Sequence, residues 1–163
     1  MEIRAVKNES AISTLHRAVF LLNKIVDAGL QASVGFGFPQ FLILSAIEKN
    51  PGVSQLRVAK YLDLTEAAVS KQTGLMIGKK LIHRAENPLN RREHVLNITT
   101  VGLKKLMLAK IVLDKKMAEI FLVLDNTEQD RLRKILEKIV GKIHGKGVRF
   151  YCCSGHIKYC ATR

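Results

Sequence analysis

The chain has 163 residues, 47% of them apolar and 25% charged, with 27 Lys and Arg against 14 Asp and Glu for a formal charge of +13. A chain of this length buries about two-thirds of its unfolded surface, so folding requires neither metal nor disulfide, and the composition excludes wholesale disorder. The basic excess opposes compaction and favours a polyanionic partner, with nucleic acid the first candidate.

No membrane span is expected. The uncharged stretch Val34 to Ile47 falls short of the about twenty residues that cross a bilayer, and Pro39 interrupts it. The opening MEIRAVKNES lacks the apolar core of a secretory signal. The three cysteines, Cys152, Cys153 and Cys160, crowd into the last twelve residues and make no disulfide framework, which points to a reducing, cytoplasmic setting.

In chain order, Ile12, Leu15, Val19, Leu22 and Val26 recur at helical steps and predict a helix over 11–30, with Ser10 or Ser13 as its cap and Gly29 near its end. Two glycines and a proline make Ser33 to Pro39 a loop. A short apolar helix follows over about 40–48, stopped by Asn50-Pro51-Gly52, where proline disfavours helix before itself and glycine permits a positive φ. Ser54 stands as the N-cap of a helix carrying Leu56, Val58, Ala59 and Leu62. Thr65 caps another over roughly 65–80, with Glu66 placed against the dipole of the first turn. Val69, Thr73 and Met76 share one face of this helix, and Ser70, Lys71 and Gly74 another. Two short helices joined at Tyr61 to Thr65 form a helix-turn-helix.

The runs 81–84 and 94–98 are short and capable of forming strands, and a turn-rich tip, Asn87-Pro88-Leu89-Asn90, runs directly into Arg91-Arg92. A two-stranded ribbon beside a helix-turn-helix is a wing. Helical spacing then returns over 101–124, with Leu103, Leu106, Leu113, Met117, Ile120, Phe121 and Leu124. Asn126 or Thr127 caps a last helix bearing Leu132, Ile135, Leu136, Ile139, Val140 and Ile143. A winged unit of some sixty residues has too little surface to cover both apolar stripes, so they are expected to cover one another and a partner chain.

Residues 40–105 resemble the multiple-antibiotic-resistance regulator (MarR) family. The segments that carry the resemblance are SQLRVAKYLDLTEAAVSKQ, KKLIHR and NPLNRREHVLNITTVG. The last matches the family wing, with Asn87-Pro88, Asn90-Arg91-Arg92, Ile98-Thr99 and Gly102 at the wing positions. The order of long flanking helices extends the likeness to about residues 10–145. The departures are Asn90 in place of the wing aspartate, Lys80 in place of the glycine before the first wing strand (Gly78 lies two positions earlier), and apolar Leu75 and Ile77.

The resemblance implies a mainly α fold with a small two-stranded β-wing, a winged helix-turn-helix flanked by N- and C-terminal dimerisation helices. The expected division is a helical dimerisation region at 1–36 and 101–147, a DNA-binding domain at 37–100, and a basic Cys-containing tail at 148–163. It also implies a homodimeric repressor of transcription that binds double-stranded DNA and is released by a small-molecule effector held between the dimer body and the winged domain. Phe36, Phe38 and Phe41 lie near that junction, where core packing accounts for them equally well.

The candidate DNA contacts follow from chemistry as well as from likeness. A helix entering the major groove presents its N-terminal half to base edges, where Thr65, Ser70, Lys71 and Gln72 offer donors and acceptors. Lys71 reaches a guanine edge or a phosphate, and Gln72 pairs with adenine if it turns outward. Arg91 and Arg92, next to Asn90 at a ribbon tip, suit the negative potential of the minor groove. Ser54, Arg57 and Lys60 are phosphate candidates on the first helix, with Ser54 also a plain cap. Residues 54–104 carry nine Lys and Arg against four acids, for +5.

The tail reads as a basic extension, with Cys153-x-x-His156-x-x-x-Cys160 as a metal site or a thiol sensor as the other options. The five histidines are scattered, with no paired carboxylate or nucleophile and no glycine-rich phosphate loop, so neither an enzyme nor a bound cofactor is expected. A second function class shares the fold: a winged-helix protein-interaction module without sequence-specific DNA binding.

Overall fold

The computed structural model describes residues 9–87 and 90–144, except the side chains of Glu9, residues 90–93 and His144. Six helices and a small sheet run in the order α1 (Glu9–Val34), α2 (Phe38–Lys49), β1 (Val53–Ser54), α3 (Gln55–Leu62), α4 (Glu66–Gly78), β2 (Ile82–Asn87), β3 (Asn90–Ile98), α5 (Thr100–Phe121) and α6 (Asn126–His144). The expected mainly α winged architecture is present. The expected terminal tail lies outside the described residues.

α1 runs past Gly29 to Val34, longer than its periodicity predicts. A Cβ at Gly29 would meet the side chains of Val112 and Lys116 on α5 at 3.8 Å, so the bare backbone lies against a packed neighbour. That packing holds a glycine in a helix it would otherwise weaken by about 1 kcal/mol. The helix stops where Gly35 takes φ +77°. The uncharged stretch in fact extends back to Ala28, but it is shared between α1 and α2, whose axes bend by 72°. Among the described residues no single helix is long and apolar enough to cross a membrane.

α2 begins earlier than predicted and takes Pro39 into its first turn, where a missing N–H costs nothing. Asp27, eleven residues back on α1, accepts from the Phe38 N–H at 2.8 Å, and Gln40 Oε1 accepts from the Gly37 N–H at 3.3 Å. Two orphan amides are thereby satisfied. Gln40, Phe41, Ile43, Leu44, Ser45, Ala46 and Ile47 are all buried, so α2 is the central helix, packed on α3, α4, α5 and β3.

The sheet is antiparallel, in the order β1-β3-β2, with Val53 opposite Leu96 and Ile82 opposite Ile98. The ribbon β2–β3 is the expected wing. The third strand, only two residues long, is an addition to it. Gly52, at φ +75°, donates its N–H to Leu96 O at 3.2 Å and brings the chain against the ribbon. The core gathers Leu30, Phe36, Phe41, Leu44, Ile47, Val58, Val69, Met76, Leu96 and Leu106, all fully buried. Each such side chain contributes roughly 1.5–3 kcal/mol by leaving water.

The stripes of the long helices behave differently. Ile12, Val19 and Phe20 on α1, Met107 and Ile111 on α5, and Ile135 and Ile139 on α6 are exposed, as are Leu122 and Val123 between α5 and α6. The cap of α6 is Asp125 rather than Asn126 or Thr127. Its carboxylate accepts from the Glu128 N–H at 2.8 Å, while Glu128 accepts from the Asp125 N–H at 3.0 Å, a reciprocal box.

Candidate nucleic-acid interface

The two-helix unit is built from caps. Ser54 Oγ accepts from the Arg57 N–H at 3.4 Å at the start of α3, and Thr65 Oγ1 accepts from the Ala68 N–H at 3.2 Å at the start of α4. Between them Asp63 takes a left-handed conformation, φ +53°, and Leu64 N donates to Ala59 O at 2.9 Å. The tight joint therefore rests on one strained residue and two hydroxyl caps.

α4 turns Val69, Thr73 and Met76 into the core, as its spacing predicts, and presents Ser70, Lys71, Gly74 and Leu75 outward. Gln72 is half-buried at its side. A cross-link escaped the sequence reading: Gln55 Nε2 donates to Thr73 Oγ1 at 2.7 Å, and Thr73 donates to Ser70 O at 3.0 Å. This fixes the start of α3 against the middle of α4. Eighteen residues separate the pair, and no local pattern announces it.

The expected contact residues divide into groups. Thr65, Ser70 and Lys71 are exposed on α4, and Arg57 and Lys60 on α3. Ser54 is only 5% exposed and spends its hydroxyl on the cap. The backbone of β3 starts at Asn90, opposite Asn87, with an irregularity in register between Glu86 and Asn87. Asn90, Arg91 and Arg92 thus stand at the tip end of the ribbon, and their side chains lie outside the described residues.

The base of the wing is held by Thr99. Its Oγ1 lies 2.7 Å from Lys80 O and 3.1 Å from Leu81 O, and it accepts from the Gly102 N–H at 2.9 Å to cap α5. Lys80 itself sits at φ +56°, a conformation that favours the glycine usual at this wing position in the family it resembles. Two lysines, one just past α4 and one on α5, fasten the end of α1. Lys79 Nζ donates to Gly35 O at 2.7 Å, and Lys105 Nζ to Val34 O at 2.9 Å.

At the junction with the long helices, Phe36 and Phe41 are fully buried and Phe38 stacks on Phe41 with centroids 6.0 Å apart. These rings pack as core. A cavity of about 330 Å³ lies elsewhere, between the end of α2, β1 and α3, lined by Asn50, Pro51, Gly52, Val53, Arg57 and Tyr61 among others.

Comparison with known proteins agrees with this geometry. A family model described as "MarR family" matches residues 34–93. The chain is 25% identical over 103 residues to the transcriptional regulator HosA of Escherichia coli O111:H-, an alignment spanning 63% of this chain and 76% of that protein. It is 26% identical over 96 residues to an HTH-type transcriptional regulator, YhbI, of Bacillus subtilis strain 168, spanning 59% of this chain and 62% of that one. Among solved structures, the transcriptional repressor CouR bound to a 23-mer DNA duplex superposes with a TM-score of 0.71 at 24% identity, over 83% of this chain and 98% of CouR. A MarR variant from E. coli complexed with operator DNA superposes with a TM-score of 0.65 at 21% identity, over 82% of this chain and 97% of that one. These relatives are regulators, and the fold they share with this chain is the winged helix described above.

Proposed function

We propose that this chain, a transcription regulator whose winged-helix domain belongs to the MarR family, acts in the cytoplasm as a homodimer that represses transcription from a pseudo-palindromic DNA site. The observation that carries this reading is the outward face of α4. The caps at Ser54 and Thr65 and the Gln55–Thr73 bond hold Ser70 and Lys71 exposed beside a basic ribbon. A helix so presented enters the major groove, while α3 crosses the backbone with Arg57 and Lys60 against phosphates. Arg91 and Arg92 enter the adjacent minor groove.

The dimer body consists of α1, α5 and α6, within the divisions 1–36 and 101–147, and the reading domain spans 37–100. Support comes from the exposed apolar stripes, with Phe20 at 66% and Ile111 at 64% exposed in the single chain. Apolar faces of that extent mark an interface. Two recognition helices then meet successive major grooves about 34 Å apart. A small effector that favours a different spacing of the wings releases the DNA through differential affinity for the two spacings.

The test is a salt titration of binding to duplex DNA, with wild type beside Arg91→Ala/Arg92→Ala. Removing four wing cations per dimer should flatten the slope of log K against log salt by up to about 3.6. Wild-type binding no tighter than that of a neutral protein at low salt would refute the repressor. In that event Leu75, 50% exposed on the outward face of α4, favours the second reading, a module that docks to protein.

A further inference from the structure

The winged segment accounts for +5 of the charge, yet residues 105–163 carry thirteen Lys and Arg against six acids, +7. Four described cations, one just past α4 and three on α5, have structural work. Lys79 and Lys105 hold the end of α1, Lys110 pairs with Glu48 at 2.7 Å, and Lys116 pairs with Glu119 at 3.0 Å. α6 is arranged otherwise. Arg133 gathers both Asp130 and Glu137, at 3.2 and 3.1 Å, drawing those acids onto one line of the helix. Arg131, Lys134, Lys138 and Lys142 follow one another at steps of three, four and four, all exposed and none in an ion pair among the described residues. At about 100° per residue the four fall within an arc of roughly 80°, beside but apart from the apolar line of Ile135, Ile139 and Ile143.

The stripe is some 16 Å long at about 1.5 Å per residue, which matches about five base-pair steps along the axis of a duplex. α5 leaves the wing at Thr100 and runs 22 residues, about 33 Å, before α6 begins. Among the described residues α6 packs substantially on none of the winged elements.

We propose that the α6 stripe is a second nucleic-acid surface, in which Arg131, Lys134, Lys138 and Lys142 hold the phosphate backbone of a duplex segment other than the one read by α4. The contact is electrostatic and indifferent to sequence, because a line of long cations on a convex helix meets phosphates rather than base edges. Lys146, Arg149, Lys158 and Arg163 follow in the sequence with no acid among them. The protein would then bridge two DNA segments.

The test captures the full-length protein on an immobilised duplex and measures recovery of a second, labelled duplex. It compares wild type, Arg131→Gln/Lys134→Gln/Lys138→Gln/Lys142→Gln, and Lys134→Arg/Lys138→Arg/Lys142→Arg, with sedimentation and circular dichroism confirming the same assembly and helicity. Wild type and the arginine variant should recover the second duplex. The glutamine variant should lose at least about tenfold of that recovery while holding the first duplex within about twofold. Equal bridging by the glutamine variant, or a wild type that never holds a second duplex, overturns the proposal. So does a glutamine variant that bridges normally but loses binding to vesicles containing 30% phosphatidylserine. The Arg91→Ala/Arg92→Ala protein separates this idea from the repressor reading: if the reading domain is inert, that variant captures duplex as well as wild type does, and the capture disappears with the α6 substitutions.

Discussion

Lys79, at the end of α4, donates from Nζ to the carbonyl of Gly35, the residue just past α1, at 2.7 Å. Lys105 on α5 does the same for Val34 O at 2.9 Å. The last turn of α1 contains no basic residue of its own, so two other helices supply the positive charge that its dipole favours. Lys79 thereby ties the end of α4 to a helix of the proposed dimer body, and Lys105 ties two helices of that body to each other. Lys79→Met should cost about 0.5–1 kcal/mol in urea unfolding. Adding Lys105→Met should cost less than the sum of the two, because both bonds serve one helix end. A double variant that is fully additive would show that the lysines act separately.

Lys80 holds φ +56° at the turn into the wing. A left-handed backbone costs a residue with a Cβ roughly 1 kcal/mol, and glycine is spared this. Lys80→Gly should therefore raise the midpoint of thermal unfolding, even though it removes a cation and adds freedom to the unfolded chain. A lowered midpoint would mean that the Lys80 side chain contributes more than its backbone costs.

Gly102 has no room for a side chain, since an added Cβ would run into Leu81 O. Gly102→Ala must push the start of α5 off the wing and should cost about 2–3 kcal/mol, as overpacking does elsewhere. Thr99→Val removes the cap and the bonds to Lys80 O and Leu81 O while keeping the shape, and should cost about 1–2 kcal/mol. Chemical denaturation of the two variants gives both figures, and a neutral Gly102→Ala would contradict the described contact.

Ser54 and Arg57 should separate stability from binding. Ser54→Ala loses a cap and about 1 kcal/mol of stability, with the salt slope of DNA binding unchanged. Arg57→Ala, exposed, should leave the unfolding midpoint within error and flatten that slope by about 1 per phosphate lost. A Ser54→Ala protein of normal stability but weakened binding would make the hydroxyl a phosphate ligand instead.

Ser45, on buried α2, has an Oγ with no hydrogen-bond partner, the one buried side-chain polar atom in that state among the described residues. Ser45→Ala removes an unsatisfied hydroxyl and keeps the backbone, so stability should rise by about 1 kcal/mol. A loss of stability in urea titration would show that the hydroxyl is satisfied in solution.

Local chemistry made much of this fold legible. Ser54 and Thr65 are hydroxyls just before apolar runs, Asn50-Pro51-Gly52 is a stop, and Val69, Thr73 and Met76 share a face, so α3, α4 and their joint follow from neighbours in the chain. Leu75, Arg57 and Lys71 stand exposed, as residues on the polar or outward side of those helices should. The same logic misplaces the ends of α1 and α2, because the propensities of Gly29 and Pro39 carry nothing of their tertiary neighbours.

The amino-acid sequence by itself determined the helices, the capped turn between α3 and α4, the wing ribbon and the apolar stripes, since each depends on residues within a turn or two of one another. The tertiary structure alone decided what distant residues do together. α5 packed against Gly29 lets α1 continue, Asp27 caps α2 from eleven residues away, β1 joins the wing, and Gln55 bonds Thr73. It also decided which lysines are spent on α1 and which stay in line on α6. Propensity and periodicity are free energies of short segments, whereas these bonds exist only once the core has brought their partners within 3 Å or so, and no local pattern carries that distance.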